Sequence, residues 1–376
     1  MKNNHGNTVI AAMSGGVDSS VAAALLVEQG HRVIGVTMKL FCLSSYDGLK
    51  IENSCCSLDS VKAAVSVADK LGIPHTVLDM EDVFREEVLK NFFSEYSAGR
   101  TPNPCILCNS RVKFDHLFEK GRQIGANFLA TGHYALTGTT GTGEEILHTL
   151  ARAKDPDKDQ SYFLWEMDQD VLSRTLFPLG NLNKPSVREK ARELGLEVAD
   201  RPESQDFCFL SPQEIRKTAR KISSLYELGL DPAATRPGPV VDVTGERIGT
   251  HDGIAYYTTG QRRHLGIALG RPAYVLSIDP KTNTLVVGFE EDSFTERFNV
   301  SSVNWVSGRL PDTPQCFSVK VRSRSSPIRA TVTPTSTDTA SVELHEPKKA
   351  VTPGQSAVWY DGQLLVGGGV VDRPVD

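Results

Sequence analysis

Between an apolar run, Asn7–Met13, and an alanine-rich run, Ser19–Glu28, stands the heptad Ser14-Gly15-Gly16-Val17-Asp18-Ser19-Ser20. A strand, a glycine turn and a helix in immediate succession leave free backbone N–H groups and the positive end of a helix dipole facing one point. Such a junction suits a phosphate, because glycines let the backbone approach its oxygens and the serine hydroxyls add donors. Asp18 could hold a hydrated cation beside it. The lysine of a Walker loop is absent. A tight turn without any ligand is the plainer alternative, and it would suffice for a bare Gly-Gly.

The surrounding pattern supports a parallel sheet wrapped by helices. Further strands are expected at Arg32–Met38, His75–Asp79 and Phe128–Thr131, with helices at Leu58–Leu71, Val83–Tyr96 and Val112–Ile124. A helical hairpin is expected next, over Tyr162–Leu176 and Ser186–Leu194. From about Pro212 the texture changes to a basic helix, Pro212–Ile222, and a Pro/Gly-rich stretch. Beyond Tyr274 short strands and turn signals suggest a β-barrel or sandwich. The expected fold class is α/β: a parallel-sheet phosphate-loop domain over 1–211, a small mixed domain over 212–273 and a C-terminal β-barrel over 274–376. A length of 376 residues agrees with two or three domains.

Composition bounds the setting. With 39% hydrophobic residues the chain is not mainly disordered, and no run approaches the roughly 18 consecutive apolar residues of a membrane span. Met1–Thr8 has no signal-peptide character. Seven cysteines suit a reducing cytoplasm better than a disulfide framework. The net charge of −5 argues against nucleic acid, but the local distribution does not. Between Pro212 and Ala273 nine basic residues face six acidic ones. In Val319-Lys320-Val321-Arg322-Ser323-Arg324 the cations alternate, so a strand there would line them along one face. A solvated basic surface explains either pattern equally well from charge alone.

The heptad resembles the pyrophosphatase loop of ATP-dependent adenylating enzymes, and the remaining motifs narrow the resemblance. Gly99-Arg100-Thr101-Pro102-Asn103-Pro104, Cys108-Asn109, Lys113-Phe114, Ala130-Thr131-Gly132-His133-Tyr134 and Lys158-Asp159-Gln160-Ser161-Tyr162-Phe163-Leu164 come first. They are followed by Glu203-Ser204-Gln205-Asp206-Phe207-Cys208-Phe209, Gly260-Gln261-Arg262-Arg263 and Thr352-Pro353-Gly354-Gln355-Ser356-Ala357. In this order and spacing they resemble the tRNA-specific 2-thiouridylase family from residue 7 to about 371.

That resemblance implies ATP held by Ala12, Met13, Ser14, Gly15, Gly16, Val17, Asp18 and Ser19, with Met38 and Gly132 on the adenosine side and Mg2+ accompanying the nucleotide. It implies a wobble uridine brought to Asn103, Pro104 and Cys105, and tRNA contacts from His133, Lys158, Asp159, Gln160, Arg322, Ser323 and Gln355. Cys208 would carry sulfur as a persulfide and Cys108 would release it. ATP would adenylate the C2 oxygen, and sulfur would then displace AMP. The partners implied are lysine, glutamate and glutamine tRNAs and a sulfur donor, either a cysteine desulfurase or a carrier; neither membrane nor DNA is expected. Two departures stand out. Cys105 occupies a position where the commonest family pattern has aspartate, and Ser323 one where an aromatic residue often stands. Cys105, Cys108 and Cys208 could together hold a [4Fe–4S] cluster with one open iron, hold zinc with a fourth ligand, or act as a persulfide pair beside a spare thiol. Cys55 and Cys56 carry no expected role, and Cys42 and Cys316 read as structural. Another adenylating synthetase or amidotransferase, or a noncatalytic tRNA- or cluster-binding protein, remain as alternative functions.

Overall fold

The computed structural model describes residues 7–40, 58–142, 145–201 and 224–374. The basic helix expected at Pro212–Ile222 and Cys42, Cys55, Cys56 and Cys208 lie outside the described residues. The first strands are β1 (Thr8–Ala12), β2 (Arg32–Lys39), β3 (His75–Asp79) and β4 (Phe128–Ala130). A hairpin, β5 (Ala135–Thr140) and β6 (Leu147–Arg152), and a short strand, β7 (Thr175–Leu176), follow. The first sheet runs β3-β2-β1-β4-β7, all parallel. Val9, Ile10 and Ala11 of β1 are buried, as a central strand covered on both faces requires. Helices α1 (Val17–Glu28) and α2 (Leu58–Leu71) cover it. The alanines of α1 are buried, letting it pack closely beside the helix Lys184–Glu193. No described helix is long and apolar enough to cross a membrane.

Strand order reverses at β1, which has β2 on one side and β4 on the other. In an open parallel sheet the crevice at the carboxyl ends of two such strands is where ligands bind. The glycine heptad follows β1 and Gly132 follows β4, so topology brings both to that crevice.

Two helices run differently from expectation. The first is Glu81–Phe84 and Lys90–Ser97 joined by a π-helical turn, Arg85–Leu89. The second starts at Pro104 rather than Val112, continues as a π-helix over Cys108–Leu117 and ends as Phe118–Gln123. Proline at its first position is the start signal, and Asn103 before it makes no side-chain cap. The expected helix over Tyr162–Leu176 is not formed. A 3-10 turn (Ser161–Leu164), a short helix (Gln169–Ser173) capped by Asp168 and β7 replace it. Its apolar residues do recur at helical spacing, but Tyr162 and Trp165 face the barrel while Thr175 and Leu176 extend the parallel sheet.

The middle sheet contains β8 (Gly238–Val241), β9 (Arg247–His251), β10 (Tyr274–Asp279) and β11 (Thr284–Gly288), in the order β10-β11-β8-β9. Parallel pairing of Leu285 with Val240 ties the strands after Tyr274 to this module rather than to the barrel. Its core is shared with the first domain: Phe84, Leu89 and Phe93 pack in one cluster with Ile254, Val275 and Ile278.

The barrel is made of β12 (Phe294–Trp305), β13 (Gln315–Lys320), β14 (Ile328–Pro334), β15 (Ala340–Lys349), β16 (Ser356–Asp361) and β17 (Leu364–Pro374). The antiparallel order β12-β15-β14-β13-β16-β17 closes through β12–β17 pairing. Alternate residues, such as Phe317 and Val319 on β13 and Ala330 and Val332 on β14, fill its interior. Hairpin β5–β6 extends this sheet by pairing Leu364 and Leu365 with Ala151 and Leu150, which fastens the first domain to the barrel. Strand β13 ends at Lys320; Arg322 to Ser325 form a turn in which Ser325 N and Oγ both donate to Arg322 O. Lys320, Arg322 and Arg324 therefore do not line one strand face. Cys316, expected to be structural, is exposed on β13.

Candidate active site

Helix α1 begins at Val17 without a side-chain cap on Gly16, so its first-turn N–H groups remain available to an anion. The turn before it is braced internally. Ser14 N donates to Ser19 Oγ at 3.1 Å, and the Ser19 and Ser20 hydroxyls donate to Gly16 O at 3.2 and 2.8 Å. Gly15 has φ +71°, and a Cβ there would lie 2.1 Å from Ser60 O. Gly132 also leaves no room for a side chain, since a Cβ would lie 2.7 Å from Ser19 N. Ala12 and Met13 finish the β1 side, where Met13 N donates to Val36 O at 2.8 Å and its side chain is buried. Met38 is partly buried on β2.

Asp18 is the first surprise. Lys184 Nζ, almost fully buried, donates to its Oδ1 and Oδ2 at 2.8 and 2.7 Å, and Tyr134 Oη donates to Oδ1 at 2.8 Å. The cation beside this carboxylate is an ammonium of the chain itself. Arg201 adds a second positive group behind the turn, donating from Nη1 to Gly15 O at 2.9 Å. Neither Lys184 nor Arg201 was expected from the sequence, and Tyr134 stood there only as the end of a motif. Asn183-Lys184-Pro185 signals only a helix start, and nothing local says that Lys184 points 166 positions back.

Cys105 and Cys108 occupy the first turns of the helix begun by Pro104, both half-buried. Three positions apart, they share a helix face and suit two donors of a thiolate-ligated group. Cys208 lies outside the described residues. Among the described residues no three His, Cys, Asp or Glu side chains are gathered for a metal ion.

The loop before this helix is held by the barrel. Gln355 Nε2 donates to Thr101 O and Pro102 O at 3.0 and 3.2 Å, and Thr101 N donates to Pro353 O at 2.8 Å. Asn103 Oδ1 is buried without a hydrogen-bond partner, while the Asn103 side chain also reaches the Tyr162 hydroxyl. Tyr162 Oη donates to Ser356 O at 2.8 Å, and burial pushes its pKa above the usual tyrosine value.

Of the expected tRNA contacts, His133 packs beside Phe114 and Phe177 with Nδ1 2.7 Å from Thr131 Oγ1. Burial holds its pKa well below the ordinary histidine value, with the nearby Lys113 charge adding to the effect. Gln160 exchanges two hydrogen bonds with the Tyr134 backbone at 2.9 and 3.0 Å. Asp159 accepts from Ala153 N, Ser161 N and Ser161 Oγ. Lys158 is half-buried in the preceding turn. Arg322 Nη2 donates to Ala350 O and Thr352 Oγ1 at 2.9 and 2.6 Å, with Ser323 beside it in the turn.

Comparison with known proteins completes the description. Family models match residues 7–212 (tRNA methyl transferase HUP domain), 231–289 (tRNA methyl transferase PRC-barrel domain) and 295–371 (aminomethyltransferase beta-barrel domain). The tRNA-specific 2-thiouridylase MnmA of Heliobacterium modesticaldum is 45% identical over 98% of this chain and 93% of its own length. The proteins of the same name from Halothermothrix orenii and Clostridioides difficile are each 42% identical, over 96% and 97% of this chain and 98% of their own lengths. With this agreement running through all three modules, the chain belongs to the tRNA-specific 2-thiouridylase family.

Proposed function

We propose that this chain binds ATP in the crevice between β1 and β4, adenylates the C2 oxygen of a wobble uridine in tRNA and replaces that oxygen with sulfur. One observation carries the reading: a single connected path joins the phosphate loop to the loop at Asn103. Asp18 is bonded to Tyr134, Tyr134 to Gln160, and two residues on Tyr162 reaches Asn103.

ATP enters as its Mg2+ complex. The first-turn N–H groups of α1 and the Ser14 and Ser19 hydroxyls receive its phosphates, while Lys184 keeps positive charge beside the departing pyrophosphate. Met38 and Gly132 lie on the adenosine side. The uridine leaves its stack and enters beside Asn103, Pro104 and Cys105, with His133, Lys158, Asp159, Gln160, Arg322, Ser323 and Gln355 assigned to the tRNA side. Attack by the Cys108 thiolate on the inner sulfur of a Cys208 persulfide forms a Cys108–Cys208 disulfide and frees hydrosulfide. Hydrosulfide adds at C2 and AMP departs; an external dithiol restores the thiols. A [4Fe–4S] cluster would be held by Cys105, Cys108 and Cys208 and would supply a site for hydrosulfide. The same-face placement of Cys105 and Cys108 favours that second sulfur route. A cysteine desulfurase or carrier supplies the sulfur, lysine, glutamate and glutamine tRNAs accept it, and the reaction takes place in the cytoplasm.

Pyrophosphate release that depends on tRNA, with 2-thiouridine found in the digested RNA, is the expected result. Release driven instead by a small amine or acid would assign the chain to another adenylating class. Purification without oxygen, followed by iron and sulfide analysis, separates the sulfur routes: an iron-free, fully active protein ends the cluster reading.

A further inference from the structure

The seam where β6 and the turn Ser161–Leu164 meet β13 and β16 collects positive charge. Arg152 lies over the Tyr360 ring with its guanidinium carbon 4.0 Å from the ring centre, yet its Nε and Nη2 are buried without a hydrogen-bond partner. Lys320 Nζ stands 6.0 Å from the centre of the Tyr162 ring. Burial pulls the pKa of Lys320 below its ordinary value, with Asp159 opposing and Arg152 adding to the effect. Ser161 Oγ lies 3.2 Å from the Tyr360 hydroxyl and Tyr162 is the next residue, so Arg152 and Lys320 stand at neighbouring rings although they come from different domains. Among the described residues neither forms an ion pair. Asp159, which opposes that shift at Lys320, is already engaged by Ala153 and Ser161 at 3.0–3.2 Å.

Half-buried cations are normally matched by a carboxylate, because desolvated charge is costly. Stacking on an aromatic ring recovers part of that cost but leaves the N–H groups unmet. Lys184, by contrast, has its carboxylate. A counter-charge that arrives with a ligand explains the difference. Phosphate is the fitting chemistry, since a guanidinium and an ammonium at two neighbouring rings suit its several oxygens. Two sources of phosphate are available to this enzyme, ATP and the RNA backbone. The seam adjoins Tyr162, which touches Asn103, whereas ATP phosphates already have the N–H groups after β1.

We propose that Arg152 and Lys320 clamp a backbone phosphate of the RNA next to the nucleotide whose base enters beside Asn103. The proposal rests on the RNA-thiolation reading above. The clamp positions the strand and takes no part in bond making. Because Arg152 comes from the first domain and Lys320 from the barrel, it also requires both to be docked.

The test measures binding of a lysine tRNA transcript between roughly 50 and 200 mM salt, with ATP affinity measured separately on the same proteins. Arg152→Gln and Lys320→Gln should each weaken RNA binding about tenfold and make the log–log salt dependence shallower by about one. ATP affinity should stay unchanged, and Arg152→Lys should recover the slope. An unchanged slope overturns the proposal, as does a loss of ATP affinity in place of RNA affinity. Should Arg152→Gln fail to fold, Lys320→Gln, a change at the end of a strand, decides alone. Wild-type protein that binds no tRNA removes the thiolation reading itself, while wild-type binding with unaltered variants removes only the clamp.

Discussion

The phosphate loop and the seam at Arg152 handle anions by opposite means. At the loop the donors are backbone N–H groups, and the nearby cation, Lys184, is already matched by Asp18. At the seam the donors are side chains, and Arg152 and Lys320 have no carboxylate in ion-pair range among the described residues. The loop is thus electrostatically complete before a ligand arrives. The seam carries a desolvation cost that only binding removes, which makes it a place for discriminating between ligands rather than for basal affinity.

The largest effect should come from breaking the loop. Gly15→Ala drives a Cβ against Ser60 O in a left-handed backbone conformation; displacing the phosphates by an ångström is expected to cost about a hundredfold in pyrophosphate release. Next is Lys184→Met, which leaves Asp18 without its ammonium. A stability loss of about 2–3 kcal/mol is expected by chemical denaturation, short of that for a fully buried pair because the Asp18 side chain is 33% exposed. Adding Asp18→Asn should recover part of the loss in a double-mutant cycle. Strictly additive effects would mean that the two residues do not act as a pair.

These regions also differ in how much of them could be read in advance. The loop is encoded by contiguous residues: β1, the heptad and α1 follow one another, and β3 and α2 fall within their expected bounds. Local sterics and hydrogen bonding settle such a unit. Arg152, Tyr162, Lys320 and Tyr360 meet only because β6 pairs with β17 and β13 with β16. No periodicity reports that pairing. Alternation in Val319–Arg324 signalled a strand, but a turn closed by Ser325 ends it after Lys320. Apolar spacing over Tyr162–Leu176 signalled a helix, although its residues serve two different sheets. The cysteine-bearing helix was expected only from Val112, because its apolar pattern is weak before that residue, and Pro104 at its first position was not used as a start signal.

Gln355 offers a smaller perturbation that sharpens the comparison from the seam side. Its amide holds the carbonyls of Thr101 and Pro102, tying the Asn103 loop to the barrel. If that tether is its main work, Gln355→Ala loses about 1–2 kcal/mol of stability and lowers turnover with tRNA, while the salt dependence of RNA binding keeps its slope. A shallower slope, or tRNA affinity lost without loss of stability, would instead make Gln355 a direct RNA contact.

The smallest effect concerns a second buried group with an unpartnered atom, beside Ser110 and Arg111. Glu166 follows the buried Trp165; its Oε2 is buried without a partner, and burial raises its pKa above the usual glutamate value, with Ser110 and Arg111 opposing and Asp115 adding. A carboxyl raised in the folded state contributes stability while protonated. That contribution is complete below the ordinary glutamate pKa and is lost as pH rises through the folded value. Above the folded value the ionised group therefore weighs against folding. Glu166→Gln keeps the shape and removes the charge, so it should stabilise the protein by about 1 kcal/mol at neutral pH and flatten the rise in stability otherwise seen on moderate acidification. Arg152 and Glu166 would then share one feature, a buried polar atom without a hydrogen-bond partner. If Glu166→Gln destabilises at every pH, Glu166 is matched after all, and the contrast between loop and seam narrows to Arg152 and Lys320.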